Sequence, residues 1–283
     1  MKVSLLLALL LPTPLYALNL DPVLHNLCLP RGGATMEMGQ ATTPCGTNPV
    51  GDRAAFEQMS QNLAMAFTPT TSGAAGTLGV NVFEFAFNHQ LVGLYDDGQR
   101  WEGGLEGPPP AMMNVTSFLF RKGLPYSLEL DGHLSYLIDS ELWAMGLGFK
   151  WALNESVSQV PVDLSVRGSV HHMVGSSQLN LTTSSFGLLI GRSFGVGQSL
   201  RLSPYFAYTP LWLFTSSSVL DATPGLYDLD QTQTTSFVFQ PYESFINRYA
   251  LGLRLLVGSL VLGVEGLLSA EQQSYVFNLG LQL

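Results

Sequence analysis

Glu129, Asp131, His133 and Ser135 occupy alternate positions of one short stretch. In an extended chain, residues two apart face the same side, so these four side chains share a surface. An imidazole beside a hydroxyl can take its proton and leave a nucleophilic oxygen, which makes His133 and Ser135 a candidate catalytic pair. The same four groups can equally serve as ionic and hydrogen-bonding partners inside a confined polar space. His171 and His172 adjoin and therefore point to opposite faces of a strand, so they cannot form one metal site through that strand alone. Asp228 and Asp230 are carboxylates of the kind that bind calcium, or that simply solvate a loop. Cys28 and Cys45 are the chain's two cysteines. In an exported protein such a pair bridges, and closing the loop between them is worth about 3 kcal/mol. A metal site with His25 is the alternative, and it lacks an evident fourth ligand. No metal and no cofactor is expected.

The elements that carry these residues have a period of two from residue 79 to 283. Between Pro125 and Ile138 the even positions are Tyr126, Leu128, Leu130, Gly132, Leu134, Tyr136 and Ile138, and the odd ones are mostly polar. The spacing predicts one long two-faced strand. The pattern recurs at 143–151, 160–171, 200–214, 249–257 and 275–283, with weaker stretches at 79–88, 112–120, 181–194 and 260–269. This gives about ten strands, within a range of eight to twelve. The shortest joints are read at Arg121-Lys122-Gly123, at 195–198 and at Gly258-Ser259.

Apolar and polar faces arise in two architectures. In a soluble sandwich the apolar face is the core. In a membrane barrel it meets lipid, and the polar face lines the interior. Strand lengths of ten or more residues exceed the usual five or six and suit a tilted membrane crossing. Aromatic residues bracket the apolar faces, as Tyr126 and Tyr136 do on one strand and Trp143 and Trp151 on the next. Ten residues tilted about 40° cover roughly 25 Å of height, the thickness of a lipid-facing band. The short joints fall on one side, and the longest connections, near 95–111 and 215–241, fall on the other. That is the arrangement of a barrel with periplasmic termini. A helical span at 250–268 is disfavoured, because Arg254 and Glu265 would be costly in lipid and four glycines weaken a helix.

Composition narrows the function classes. The chain has 283 residues, only 12% of them charged, and a formal net charge of −9. Few charges with much glycine argue against a disordered chain or a coiled coil. The acidic balance argues against nucleic acid as a partner. Residues 1–17 read as a cleaved signal peptide: Lys2, a nine-residue apolar run, and a cut after Ala17. Residues 18–78 form an irregular N-terminal segment. Within it, Phe56, Met59, Leu63 and Phe67 share one helical face between Asp52, a capping residue, and Pro69, a stop. The helix is expected to pack at one end of the barrel; the alternatives are a plug that enters the lumen and a simple linker.

Residues 79–283 resemble the bacterial outer-membrane β-barrel class. The closing Tyr275-x-Phe277-x-Leu279-x-Leu281-x-Leu283 is similar to the alternating C-terminal strand that barrel assembly recognises, though it ends in Leu rather than Phe or Trp. Thr47-Asn48-Pro49-Val50-Gly51 is similar to the N-terminal region of fatty-acid-transporter-like barrels. His133-x-Ser135 is similar to the His-x-Ser of outer-membrane phospholipases and lipid A deacylases, which present the pair to lipid; here it lies on the polar face. The class resemblance implies an all-β, antiparallel up-and-down transmembrane barrel in the outer membrane of a Gram-negative bacterium. Its expected partners are membrane lipid and the barrel-assembly machinery. Its expected function is passive or gated, porin-like transport of small solutes, or a structural or interaction barrel. A lipid hydrolase and a soluble secreted sandwich are the alternatives. The expected lumen-lining polar residues are Glu84, Glu129, Asp131, His133, Lys150, Asp163, Arg167, His171, Arg201, Arg248, Arg254 and Glu265. The expected lipid-facing anchors are Tyr126, Tyr136, Trp143, Trp151, Trp212, Tyr249 and Tyr275.

Overall fold

A computed structural model describes residues 19–31, 45–69, 73–94, 103–105, 110–155, 161–197, 199–221, 236–270 and 272–283. The signal segment, Asp228 and Asp230 lie outside these residues.

The period-two stretches form one closed antiparallel wall. Its strands are β3 (Phe83–Gly93), β4 (Met112–Leu124), β5 (Leu128–Leu137), β6 (Trp143–Ala152), β7 (Asp163–Val174) and β8 (Leu179–Gly191). They continue as β10 (Leu200–Tyr208) with β11 (Leu211–Ser217), then β14 (Tyr242–Ile246) with β15 (Arg248–Val257), β16 (Leu260–Ser269) and β17 (Gln273–Gln282). Pro210 has no N–H to give the ladder, so β10 and β11 are two parts of one crossing. β8 pairs with both of them, and β14 and β15 pair with β11 and β10. β17 pairs with β3 from Gln282↔Glu84 to Ser274↔Val92, which closes the barrel at ten crossings. The short β9 (Phe194–Val196) extends the hairpin below β10. The pair β12 (Leu220–Asp221) and β13 (Ser236–Phe237) lies between the seventh and eighth crossings.

The wall faces lipid with its apolar side. Leu130 is 50% exposed and Leu134 38%, while Glu129 and Asp131 are 0% and 3% exposed on the opposite side. A sandwich would bury the leucines. The exposed apolar surface continues around the barrel through Phe87, Phe118, Leu147, Leu188, Leu251 and Leu279.

One joint differs from the sequence expectation. The joint between β4 and β5 is Pro125-Tyr126-Ser127, not Arg121-Lys122-Gly123, which lie within β4. Alternation does not reveal it because the turn keeps parity. Tyr126 and Ser127 have φ of 64° and 56° and reverse the chain there. Tyr126 therefore sits in the turn, 89% exposed, rather than on a lipid-facing strand.

The joints 125–127 and 258–259 share the end that holds the start of β3 and the end of β17. Gly93 and Met112, and Ser217 and Tyr242, which bound the two longest connections, lie toward the other. These are called here the turn end and the loop end.

Before the barrel, β1 (Cys28–Arg31) pairs antiparallel with β2 (Cys45–Gly51), which sets the two cysteine-bearing strands side by side. Helix α1 (Arg53–Phe67) follows, and the Asp52 side chain accepts a hydrogen bond from the Ala55 amide at 3.1 Å, the expected N-cap.

Candidate functional site: a threaded lumen

Helix α1 lies inside the barrel. Every residue from Asn62 to Phe67 is buried, so that part of the helix has no solvent-facing side. A helix buried all round belongs to an interior. Its polar contacts reach walls on opposite sides. Gln90 on β3 donates to the Met65 carbonyl at 3.4 Å, and Gln61 donates to the Tyr242 hydroxyl on β14 at 2.6 Å. Thr68 and Thr183 on β8 share a hydroxyl hydrogen bond of 2.6 Å, and Gln272 donates to Asn62. Arg248 on β15 donates to the Thr68 carbonyl at 2.6 Å.

The direction of the chain follows from its neighbours. At the loop end, the Leu20 amide donates to Asp139 at 2.8 Å and the Val23 amide to Gly104 at 2.7 Å. The Leu24 amide donates to the Gln178 side chain at 2.7 Å. Phe56 near the start of α1 stacks on Phe239 with centroids 4.4 Å apart. The chain then descends. Lys150 donates to the Ala74 carbonyl at 3.2 Å, and the Leu78 amide donates to Glu129 at 3.1 Å. Gly79 lies at the turn end, against Gly123, with φ of +90°, just before β3 begins. The described parts of the N-terminal segment, 53–69 and 73–79, thus lie along the lumen from the loop end to the turn end.

The lumen has two chemically distinct halves. Around α1 its lining is apolar: Val92, Met113, Val115, Leu137, Met173, Leu181, Leu211, Leu213 and Leu267 join Phe56, Met59, Leu63 and Phe67 in one cluster. Polar alternation misses this half because these strand ends are apolar on both faces. One face meets lipid and the other meets the helix.

The turn-end half is ionic. Glu84 binds Arg121 at 3.1 Å and Arg254 at 2.5 Å. Glu129 binds Lys150 at 3.1 Å. Asp131 binds Arg167 at 2.7 Å and His133 at 2.9 Å. Tyr205 donates to Glu265 at 2.5 Å. His171 meets Ser169 at 3.2 Å, and its ring lies 5.4 Å from that of His133. All of these side chains are buried. Arg121 and Tyr205 are not among the expected lumen residues, although Tyr205 shares the parity of Arg201 in the 200–214 alternation. Arg121 falls in the joint read at 121–123, and its inward parity appears only once β4 is seen to continue to Leu124.

Of the expected lumen residues, two depart from burial. Arg201 is exposed and Asp163 half-buried; both line a vestibule of about 190 Å³ at the turn end, with Arg121, Lys150, Glu155 and Arg254. Deeper in, the cavity below Pro69 is about 10 Å³, room for one water. Among the expected anchors, Trp143, Trp151, Trp212, Tyr249 and Tyr275 are exposed on the outer face. Tyr136 is half-buried against Trp143, with ring centroids 4.6 Å apart.

Glycines on β6 make the ionic layer possible. A β-carbon on Gly148 would stand 2.5 Å from an Asp131 oxygen, and one on Gly146 would stand 2.0 Å from His171 Nδ1. Both side chains cross over β6, and Arg167 reaches Asp131 above it. Gly148→Val is expected to push Asp131 away from Arg167 and destabilise the barrel by about 1–3 kcal/mol. The temperature at which the SDS-resistant form unfolds on a gel measures it.

The candidate catalytic pair does not form a dyad. His133 Nε2 is engaged by Asp131, the Ser135 hydroxyl has no hydrogen-bond partner among the described residues, and both face the filled lumen. Among the described residues no His, Cys, Asp and Glu group could hold a metal ion.

No family model matches the chain, and no curated protein matches it. Solved structures similar to it include the KdgM porin in complex with disordered oligogalacturonate, 8% identical over 70% of this chain and 98% of that one, with a TM-score of 0.33. They also include Ail, the attachment invasion locus protein of Yersinia pestis, 9% identical over 72% and 99%, with a TM-score of 0.30. The translocator domain of autotransporter NalP from Neisseria meningitidis is 11% identical over 81% and 96%, with a TM-score of 0.31. The closed wall of ten crossings, with its apolar outer band and aromatic flanks, has the architecture of a transmembrane β-barrel.

Proposed function

We propose that this protein is an outer-membrane barrel held shut by its own N-terminal segment. It is a gated conduit rather than an open pore. The observation that carries this is the course of residues 53–69 and 73–78 along the lumen, fastened to β3, β8, β14 and β15 around α1 and to β5 and β6 lower down. The ionic half beneath the plug suits a polar solute entering from the vestibule, and the apolar half suits only the helix. The same path presents residues 19–31 and 45–51 with the loops at the cell surface, where they are available to a partner. Cys28 is not a free thiol, which supports a Cys28–Cys45 bridge holding that surface hairpin; a mobility difference with and without reductant checks it.

Single-channel recording in planar bilayers tests the gate. The intact protein is expected to be silent at low voltage. A steady open conductance of the unmodified protein would overturn the reading.

A further inference from the structure

We infer that the outer face of the barrel holds one anionic phospholipid of the periplasmic leaflet in a preformed site. This rests on the barrel spanning the outer membrane with its turn end toward the periplasm. The outer wall across β17 and β3–β7 carries an open hollow of about 1170 Å³. Phe85, Phe87, Phe118, Leu147 and Leu279 line it. Gly132 faces outward in it and supplies no side chain; the single atom near its missing β-carbon is Leu147 Cδ2, at 3.9 Å. A hollow of this size admits acyl chains lengthwise, and it buries more of their apolar area than a smooth wall does.

The rim carries the complementary charge. Lys122 lies on β4, two residues from the turn end, on the outward side. Its Nζ stands 3.5 Å from the centroid of the Phe83 ring, which holds the ammonium over an aromatic face. Phe83 packs on Phe120 at 5.9 Å, and Phe120 on Phe85 at 5.2 Å, so the cation is continuous with the wall of the hollow. Among the described residues no carboxylate pairs with Lys122. A lipid phosphate at the membrane interface meets this ammonium while its chains lie in the groove.

Native mass spectrometry of the detergent-purified full chain, titrated separately with phosphatidylglycerol and phosphatidylcholine, tests the site. One retained phosphatidylglycerol per chain is expected, with phosphatidylcholine held more weakly. Lys122→Gln should cut the preference about fivefold. Gly132→Phe projects a ring into the middle of the hollow, where it breaks the lengthwise seat of the acyl chains, and should weaken retention of both lipids severalfold. Equal retention of the two lipids by the wild type, or undiminished retention by Gly132→Phe, overturns the proposal. So does a second copy of the chain, seen as a dimer that retains no lipid. Should Gly132→Phe not fold, Lys122→Gln at its half-exposed position decides alone. Loss of heat-modifiable gel migration in the wild type would instead overturn the barrel reading beneath it.

Discussion

Met59→Asp is expected to turn the silent barrel into a conducting one. Met59 is fully buried in the apolar cluster that α1 makes with the loop-end half of the wall. An unpaired carboxylate there loses its hydration and gains no cation, because the cations of the ionic layer sit in the other half and Arg248 is held by the Thr68 and Thr209 carbonyls. The penalty is several kcal/mol. Against it stand the hydrogen bonds that fasten α1 and Thr68, each worth about 1 kcal/mol net. The charge therefore expels the helix while the wall, closed by backbone ladders, stays intact. Planar-bilayer recording should show steady conductance, and protease should cut within residues 53–67. Met59→Leu, which conserves volume, should remain silent. A folded, silent Met59→Asp barrel would show that the helix is not the gate.

Asp131→Ala should be the most destabilising single change in the ionic layer. Asp131 holds Arg167 from β7 and His133 from its own strand, so its loss leaves a buried guanidinium without a carboxylate. Removing one partner of such a pair costs about 3–5 kcal/mol. The unfolding temperature read from gel mobility should drop by roughly 10 °C. The double variant Asp131→Ala, Arg167→Met should recover most of that loss, because the orphaned charge is gone. If the single and double variants were equally destabilised, the effect would lie in packing rather than in an uncompensated charge. Ser135→Ala alters the other half of the candidate catalytic pair without touching this cluster.

The strand count, the lipid-facing side and the inward placement of Glu84, Glu129, Asp131 and His133 were legible in the sequence. Each is a parity statement, and a strand fixes parity locally. The helix at residues 53–67 was legible for the same reason, from a period of 3.6 between a cap and a proline. The β4–β5 turn was not, because a turn that preserves parity leaves no mark in the alternation. Nor was the ionic layer's connectivity: which cation meets which carboxylate depends on side chains crossing a neighbouring strand, and Gly146 and Gly148 permit this only in the paired register.

The sequence by itself determined that this chain makes an amphipathic wall and an amphipathic helix, since both patterns follow from the dihedral geometry of one segment at a time. Only the tertiary structure decided that the helix runs inside the wall and enters from the loop end. Apolar residues on both faces of the loop-end strand segments are compatible with lipid, a partner sheet or a plug. Closing ten strands around the N-terminal segment is what leaves the inner set of leucines and methionines no neighbour except α1.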